Sequence, residues 1–179
     1  MTKTKFYNFL LILLSVVFLN GCGLGSNNQD SARSSTAQTI HSEDGLFSIT
    51  IPKGWEQITD YSLNDDADLQ AQKRFGDQYC VALIEHKDDL DFTFDEGMEQ
   101  IIDPFLSALE NASISEGEDI VIDGQPAKQY ELRGTIDRVK IAYLVTYVNG
   151  ENYFAQILAW TLASKYKSSL DELKAVTNL

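Results

Sequence analysis

Short runs of alternating apolar and polar residues recur along this chain, and each of them predicts a β-strand with one buried face. The first run is FSITI at residues 47–51, and Pro52 ends it. Three later pairs of runs are separated by dipeptides that favour tight turns. They predict β-hairpins around Gly76-Asp77, Asp123-Gly124 and Asn149-Gly150.

The last predicted hairpin, residues 138–160, differs from the others because both of its faces are apolar. On its second strand, Ala155 and Ile157 lie on one face, while Leu158 and Trp160 lie on the other. A strand with two apolar faces has to be covered on both sides. We therefore expect the Trp160 side chain to be substantially buried.

Two predicted helices are available to cover those faces. The first, residues 94–109, begins after a capping box formed by Thr93 and Glu96, and Pro104 inside it is expected to kink or split it. The second, residues 163–176, has an apolar stripe at helical spacing. A mostly antiparallel sheet with a helix on each face satisfies these patterns. The sequence therefore predicts an α+β fold with three layers, α/β/α.

The N-terminus has the order of a bacterial lipoprotein signal. Two lysines precede a nearly unbroken apolar run at residues 6–19, which is shorter than the roughly 20 residues that a spanning helix needs. The run ends in the sequence LNGC at residues 19–22. We expect cleavage after Gly21 and attachment of lipid, palmitate included, at Cys22. The alternative is an ordinary secretory signal with an incidental cysteine.

This signal divides the chain into three parts. Residues 1–21 form the signal peptide, and residues 22–44 form the lipidated N-terminus and a polar tether rich in Ser, Asn, Gln and Gly. A random coil of that length has an end-to-end distance of roughly 25 Å. Residues 45–179 form one domain, which is long enough to bury a core. The expected location is the bacterial cell membrane or outer membrane, with the domain lipid-anchored outside the cytoplasm.

Charge narrows the range of partners. The formal net charge is −13, and removal of residues 1–21, which contain two lysines and no acidic residue, makes it −15. Nucleic-acid binding depends on Lys and Arg at phosphates, so we expect no nucleic-acid partner. An anionic lipid surface should also repel the domain as a whole. The acidity either keeps the protein soluble or offers a docking face to cations or to a basic partner.

No arrangement of catalytic or metal-binding residues stands out. Cys80 and His86 fall on one face of a predicted strand about 20 Å apart, which is too far for a nucleophile and its base. Cys80 is expected to be a small buried residue without a disulfide partner. The clusters DDAD at residues 65–68 and DDLD at residues 88–91 do not match a calcium-binding loop. We therefore expect no enzymatic activity, no cofactor and no metal site.

Several segments resemble PsbP-like domains. They are GLFSITIPKGW at residues 45–55, GQPAKQY at residues 124–130, and the long hairpin around Asn149-Gly150 with a closing helix after Trp160. The family includes a photosystem II extrinsic subunit, a Ran-binding nuclear import factor and bacterial surface lipoproteins. The resemblance spans roughly residues 45–177. It implies a three-layer α/β/α sandwich with a mostly antiparallel central sheet, and a binding or assembly role more than a catalytic one.

These observations lead to one main hypothesis and one alternative. The main hypothesis is a lipid-anchored bacterial envelope protein whose PsbP-like domain binds or scaffolds a protein partner. The alternative is an accessory factor or an enzyme that uses an acidic surface site, with or without a metal ion. A cleft that gathers carboxylates with perturbed pKa values would favour the alternative.

The first testable prediction concerns the anchor. Replacing Cys22 by serine removes the thiol that would carry the lipid, so Cys22→Ser should abolish membrane retention without unfolding the domain. Cell fractionation with a high-salt wash of the membrane pellet measures this. A Cys22→Ser protein that stays in the washed pellet would show that the lipoprotein interpretation is wrong.

Overall fold

The computed structural model describes residues 36–89 and 93–177. Cleavage after Gly21, lipid attachment at Cys22 and the tether up to residue 35 lie outside the described residues and stay predictions. Residues 90–92, which include the last aspartate of the second acidic cluster, also lie outside them.

The described chain contains two sets of strands and two α-helices. A two-stranded ribbon consists of β1 (Gln38–His41) and β2 (Ser48–Ile51). The main sheet consists of β3 (Trp55–Gln57), β4 (Leu69–Lys73), β5 (Tyr79–His86), β6 (Glu110–Ile114), β7 (Glu118–Ile122), β8 (Gln125–Ile136), β9 (Val139–Asn149) and β10 (Tyr153–Leu162). The helices are α1 (Phe94–Ser107) and α2 (Tyr166–Val176), and a short 3-10 helix lies at Lys87–Asp89.

All strand pairs in the main sheet are antiparallel. The strand order is β3-β4-β5-β10-β9-β8-β6, and β7 also pairs with β8. The outer edge of β8 is shared, because β7 pairs with its first residues, Gln125 to Gln129, and β6 pairs with Leu132, Arg133 and Thr135 further along. The long strands β9 and β10 therefore lie in the centre of the sheet, as the apolar pattern predicts.

Both faces of this sheet are covered. On one face, Met98 and Phe105 of α1 pack against β9 and β10, and the Phe105 ring meets the Tyr143 ring edge-on at 5.1 Å. On the other face, Leu173 and Val176 of α2 share a core with the isoleucines of the β1–β2 ribbon. The predicted three-layer α/β/α arrangement is confirmed, and the ribbon is an unpredicted part of the second outer layer.

The turn at Asp123-Gly124 is a two-residue hairpin, as predicted. Its φ angles are 45° and 76°, and Ile122 pairs with Gln125 across it. Positive φ at both positions is the requirement of the hairpin turns whose twist matches the strands, and glycine meets it without strain.

The other two predicted turns are longer than two residues. Strands β4 and β5 are joined by residues 74–78, and β9 and β10 by residues 150–152. A further tight turn, Asp137-Arg138, joins β8 and β9 with φ angles of 49° and 70°. The sequence did not indicate this turn, because neither residue is a glycine and the long pairing of β8 with β9 holds it closed.

The two helices follow their sequence signals closely. The Thr93 backbone N–H donates to Glu96 Oε2 at 2.9 Å, and the Glu96 N–H donates to Thr93 Oγ1 at 3.5 Å, which confirms the capping box. Helix α1 then continues through Pro104 to Ser107, so the expectation of a split helix is wrong. Helix α2 begins at Tyr166, three residues later than predicted, because residues 163–165 form a turn after β10.

The predicted boundary between tether and domain at residue 45 is too late. Strand β1 lies inside the predicted tether and pairs with β2, where Gln38 faces Ile51. Ile40 is only 5% exposed, and Ser42 donates to Asp44 Oδ1 at 2.6 Å in the turn that follows. That hydrogen bond is the main reason why the Asp44 pKa is lowered. A four-residue strand with one apolar side chain has no periodicity of its own, so only its partner reveals it.

The second prediction follows from β1. A chain that starts at Ser42 lacks Ile40 and exposes part of the ribbon, so it should be less stable than a chain that starts at Thr36. Burial of one isoleucine contributes about 2 kcal/mol, and the difference should be at least of that size. Urea denaturation of the two chains measures it. Superimposable unfolding curves would mean that β1 does not contribute to the domain.

Trp160 is half-buried, so the expectation of substantial burial is met only in part. Its ring lies between those of its cross-strand neighbours, 5.4 Å from the Tyr79 ring and 5.9 Å from the Tyr143 ring. In contrast, Phe154 on the same face of β10 is 2% exposed. The covering of this face therefore becomes incomplete toward the Trp160 end of the strand.

The third prediction uses this contrast. Trp160→Ala should cost about 2 kcal/mol, less than the roughly 3–5 kcal/mol expected for removal of a fully buried aromatic side chain in Phe154→Ala. Urea denaturation of both variants gives the comparison. An effect of Trp160→Ala below about 1 kcal/mol, which is usual for surface positions, would make Trp160 a candidate binding residue instead.

Candidate functional site

Several connections between strands lie at the two ends of the sheet, and these two sets of connections differ in charge. The pairing of His86 with Tyr153 and of Asn149 with Phe154 brings one set of connections together: residues 87–89, 123–124 and 150–152. The β1–β2 turn, residues 42–47, joins them, because the Phe47 ring lies 4.9 Å from the Tyr153 ring. These connections contain six acidic residues and one lysine, so we call this the acidic end.

The opposite end of the sheet is formed by residues 52–54, 74–78, 137–138 and 163–165. The pairs Trp55 with Lys73, Ile136 with Val139 and Leu162 with Ile141 place these connections side by side. They contain four basic residues, Lys53, Arg74, Arg138 and Lys165, and two acidic ones. We call this the basic end.

A cleft of about 580 Å³ opens at the acidic end, where the start of α1 meets the ends of β8, β9 and β10. A volume of this size is in the range of ligand-binding clefts. Its lining combines apolar, amide and charged side chains: Lys87, Thr93, Phe94, Asp95, Asp119, Pro126, Ala127, Lys128, Asn149 and Phe154.

The apolar part of the cleft includes two aromatic rings beside Pro126 and Ala127. Phe94, the first residue of α1, meets Phe154 edge-on with ring centroids 5.4 Å apart. Phe154 is in turn stacked on Tyr147 at 5.9 Å. Because Phe154 is nearly fully buried in the core, this wall is held in place from behind. It offers a rigid surface to an apolar group.

The charges around the cleft are mixed. Lys128 Nζ lies 3.4 Å from Asp119 Oδ1, and the Asp119 side chain is 85% exposed. An exposed ion pair of this kind contributes little to stability, so it can exchange partners at small cost. Lys87 and Asp95 add one further charge of each sign. The cleft can therefore accept a polar segment of either charge beside its aromatic wall.

Two polar groups near the cleft differ in their hydrogen bonding. The Asn149 Oδ1 atom is shielded from solvent and accepts no hydrogen bond in the described part of the chain. The N-terminus of α1 is satisfied, because Thr93 and Glu96 cap it, and these hydrogen bonds lower the pKa of Glu96. Because this acceptor is shielded from solvent, a ligand N–H would reach it only after the Asn149 side chain turns toward the cleft.

The thiol considered in the sequence is remote from this cleft. Cys80 is fully buried beneath α2, where its Sγ lies 3.7 Å from the Val176 carbonyl oxygen. Burial raises the pKa of the Cys80 thiol to about 12, so it stays protonated at neutral pH. A protonated buried thiol is a poor nucleophile. The prediction of a small, buried, unpaired cysteine is confirmed.

The acidic clusters have structural contacts where they are described. Asp68 Oδ2 accepts the Ile84 backbone N–H at 2.8 Å, and the Asp66 N–H donates to Asn64 Oδ1 at 2.9 Å. Across residues 36–89 and 93–177, no group of three or more His, Cys, Asp or Glu side chains is placed to hold a metal ion. Asp68 thus ties the β3–β4 connection to β5.

No local sequence pattern indicates this cleft. Its lining comes from separate segments near residues 87, 94, 119, 127, 149 and 154, and only the fold brings them together. Thr93 caps the helix predicted at residues 94–109, and Phe154 lies within the predicted hairpin at residues 138–160. Their alignment at one end of the sheet depends on strand order, which has no local signal in the sequence.

Comparison with solved structures identifies the fold. The solution structure of cyanobacterial PsbP (CyanoP) from Synechocystis sp. PCC 6803 superposes with a TM-score of 0.58 at 15% sequence identity, covering 86% of this chain and 95% of that chain. LpqN from Mycobacterium tuberculosis, a protein involved in cell envelope biogenesis, gives a TM-score of 0.57 at 14% identity, covering 85% and 95%. No family model and no curated protein matches the sequence.

The chain therefore has the PsbP-like fold, as the sequence segments indicated. Sequence identity this low shows the fold alone and carries no residue roles with it. In the described part of the chain, neither helix is long and apolar enough to cross a membrane.

Proposed function

We propose that this chain is a lipid-anchored bacterial envelope protein whose PsbP-like domain binds a protein partner in the cleft at the acidic end. The observation that carries the proposal is the cleft itself, with an aromatic wall and charges of both signs. These groups fit a polypeptide segment that places an apolar side chain against Phe94 and charged side chains beside Lys128 and Asp95.

The anchor part of the proposal rests on the N-terminal sequence. The LNGC sequence at residues 19–22 provides the acylation thiol, Cys22, directly after a short apolar run. LpqN, which has the same fold, is involved in cell envelope biogenesis, and this supports an envelope role for the present chain. Two or more acyl chains on one cysteine would hold the protein stably at a membrane.

A binding role is favoured over catalysis by the chemistry of the cleft. Among the described residues, its lining includes no cysteine, histidine or serine, and Thr93, the one hydroxyl side chain described there, hydrogen-bonds the Glu96 carboxylate at 2.8 Å within the capping box. Lys87 and Lys128 can attract carboxylates of a partner, while Asp95 and Asp119 can attract its basic groups. This arrangement supports recognition and does not suggest a reaction.

The fourth prediction tests the cleft by site-specific photocrosslinking. A photoreactive phenylalanine analogue at Asp95, which lines the cleft and is exposed, should give discrete crosslinked products in cells that make the lipidated protein. The same analogue at Asp171, an exposed position on α2, is the matched control. Crosslinks to one defined protein from position 95 alone are expected.

A second substitution links the crosslink to the cleft chemistry. Reversing the charge in Lys128→Glu should weaken the crosslink from position 95 several-fold, because a partner carboxylate would then be repelled, while thermal stability changes little. Equal crosslinking from positions 95 and 171, or crosslinks insensitive to Lys128→Glu, would contradict the proposal. Folding of each variant is checked by circular dichroism.

A further inference from the structure

We infer that the basic end of the domain is a membrane-contact surface, in which Phe75 enters the interface of an anionic lipid bilayer and the basic side chains around it lie at the headgroups. The inference uses the proposed lipid anchor at Cys22 to bring the domain near the membrane. It adds a second, non-covalent contact that fixes which end of the domain faces the lipid.

The first observation is Phe75 at the tip of the β4–β5 connection. Its side chain is 100% exposed, and its φ angle is 55°. A bulky residue in this left-handed conformation is an outlier, and glycine or asparagine would form the turn with less strain. The geometry of the turn therefore does not explain why residue 75 is a phenylalanine. Contact with the membrane–water interface would explain it, because aromatic rings are favoured there.

The second observation is the charge around Phe75. The Arg74 guanidinium lies over the Phe75 ring, 5.5 Å from its centroid. Lys53 lies in the neighbouring turn, and the Arg74 backbone N–H donates to the Gly54 carbonyl of that turn at 2.8 Å. Arg74 is paired with Glu56 and Lys165 with Asp77. Lys53 and Arg138 are exposed and form no ion pair within the described residues.

The basic end therefore differs in charge from the rest of this acidic chain. An anionic lipid surface repels the chain as a whole, but each lysine or arginine held at that surface is attracted to it. The acidic end, with six acidic residues in its connections, is repelled most strongly. The charge distribution thus favours an orientation with the basic end toward the lipid.

The third observation is the position of the tether. Gln38 at the start of β1 faces Ile51, and its side-chain amide donates to the Trp55 carbonyl at 3.4 Å, next to the turn that contains Lys53. The chain therefore enters the domain at the basic end. Thirteen residues separate Cys22 from Thr36, and a random coil of that length spans roughly 20 Å.

The distances favour contact at this end over the other. Strand β9, with 11 residues, spans roughly 35 Å between the two ends. A tether with an average span of roughly 20 Å places the basic end, where the chain enters the domain, nearer the lipid on average than the acidic end. Tethering on this scale gives an effective concentration in the millimolar range, so a contact too weak to bind a free protein is populated.

The fifth prediction measures this contact with a fluorophore whose emission rises when it leaves water. It is attached to a cysteine at Ser164, exposed at the basic end, or at Asn152, exposed at the acidic end; Cys80 is buried and does not react. The lipidated protein is placed on vesicles containing phosphatidylglycerol. Emission should be several-fold higher at position 164 than at position 152, and Phe75→Ser should remove most of the difference.

Val121→Ser is the matched control, because Val121 is also an exposed apolar residue, 69% exposed, but lies on edge strand β7. It should leave the emission unchanged. Lys53→Glu, or vesicles of phosphatidylcholine alone, should lower emission at position 164. Equal emission at the two positions, or no effect of Phe75→Ser, would overturn the inference. A rise that appears only with native membrane proteins present would assign Phe75 to a protein partner and overturn it too.

One further arm separates this inference from the proposed anchor. The Cys22→Ser chain, lacking residues 1–21, is held on the same vesicles by an N-terminal hexahistidine tag and a chelating lipid. If the native chain carries no lipid but the tagged chain shows the Phe75-dependent signal, the anchor is wrong and the contact stands. If the native chain is lipidated and neither form shows the signal, the contact is wrong and the anchor stands.

Discussion

The central constraint in this structure is that β9 and β10 are apolar on both faces. Water cannot be in contact with either side of these strands without a large cost in free energy, so the sheet needs a layer on each face. Helix α1 covers one face, and α2 with the β1–β2 ribbon covers the other. The edge strands, the connection that contains α1 and the closing helix α2 all contribute to covering these two faces.

Covering both faces leaves the two ends of the sheet exposed, together with its edges and the outer sides of the helices. In an antiparallel sheet the connections alternate between these ends, so each end collects loops from distant parts of the sequence. Here the loops at one end are mainly acidic and adjoin the cleft, and those at the other include more basic residues and the entry point of the tether. The fold thereby separates the end proposed to bind a partner from the end proposed to face the membrane.

A buried polar pair also helps to set the alignment of the central strands. The Gln129 amide donates to Thr146 Oγ1 at 2.8 Å across β8 and β9, and both side chains are nearly fully buried. A buried pair of this kind is stable only when both partners are satisfied, and a shift in strand register would separate them. Together with the Asp137-Arg138 turn, the pair fixes the register of the longest strand pairing in the sheet.

The sequence by itself determined the elements with strong local signals. The two apolar faces of residues 138–160, the Thr93–Glu96 capping box and the Asp123-Gly124 turn each arise from the chemistry of adjacent residues, and they indicated the three-layer arrangement. The tertiary structure decided what depends on distant partners. Strand β1 forms because β2 is beside it, and α1 continues through Pro104 because it packs on the sheet. Likewise the cleft and the basic end exist only through strand order, since residues far apart in sequence meet where strands end.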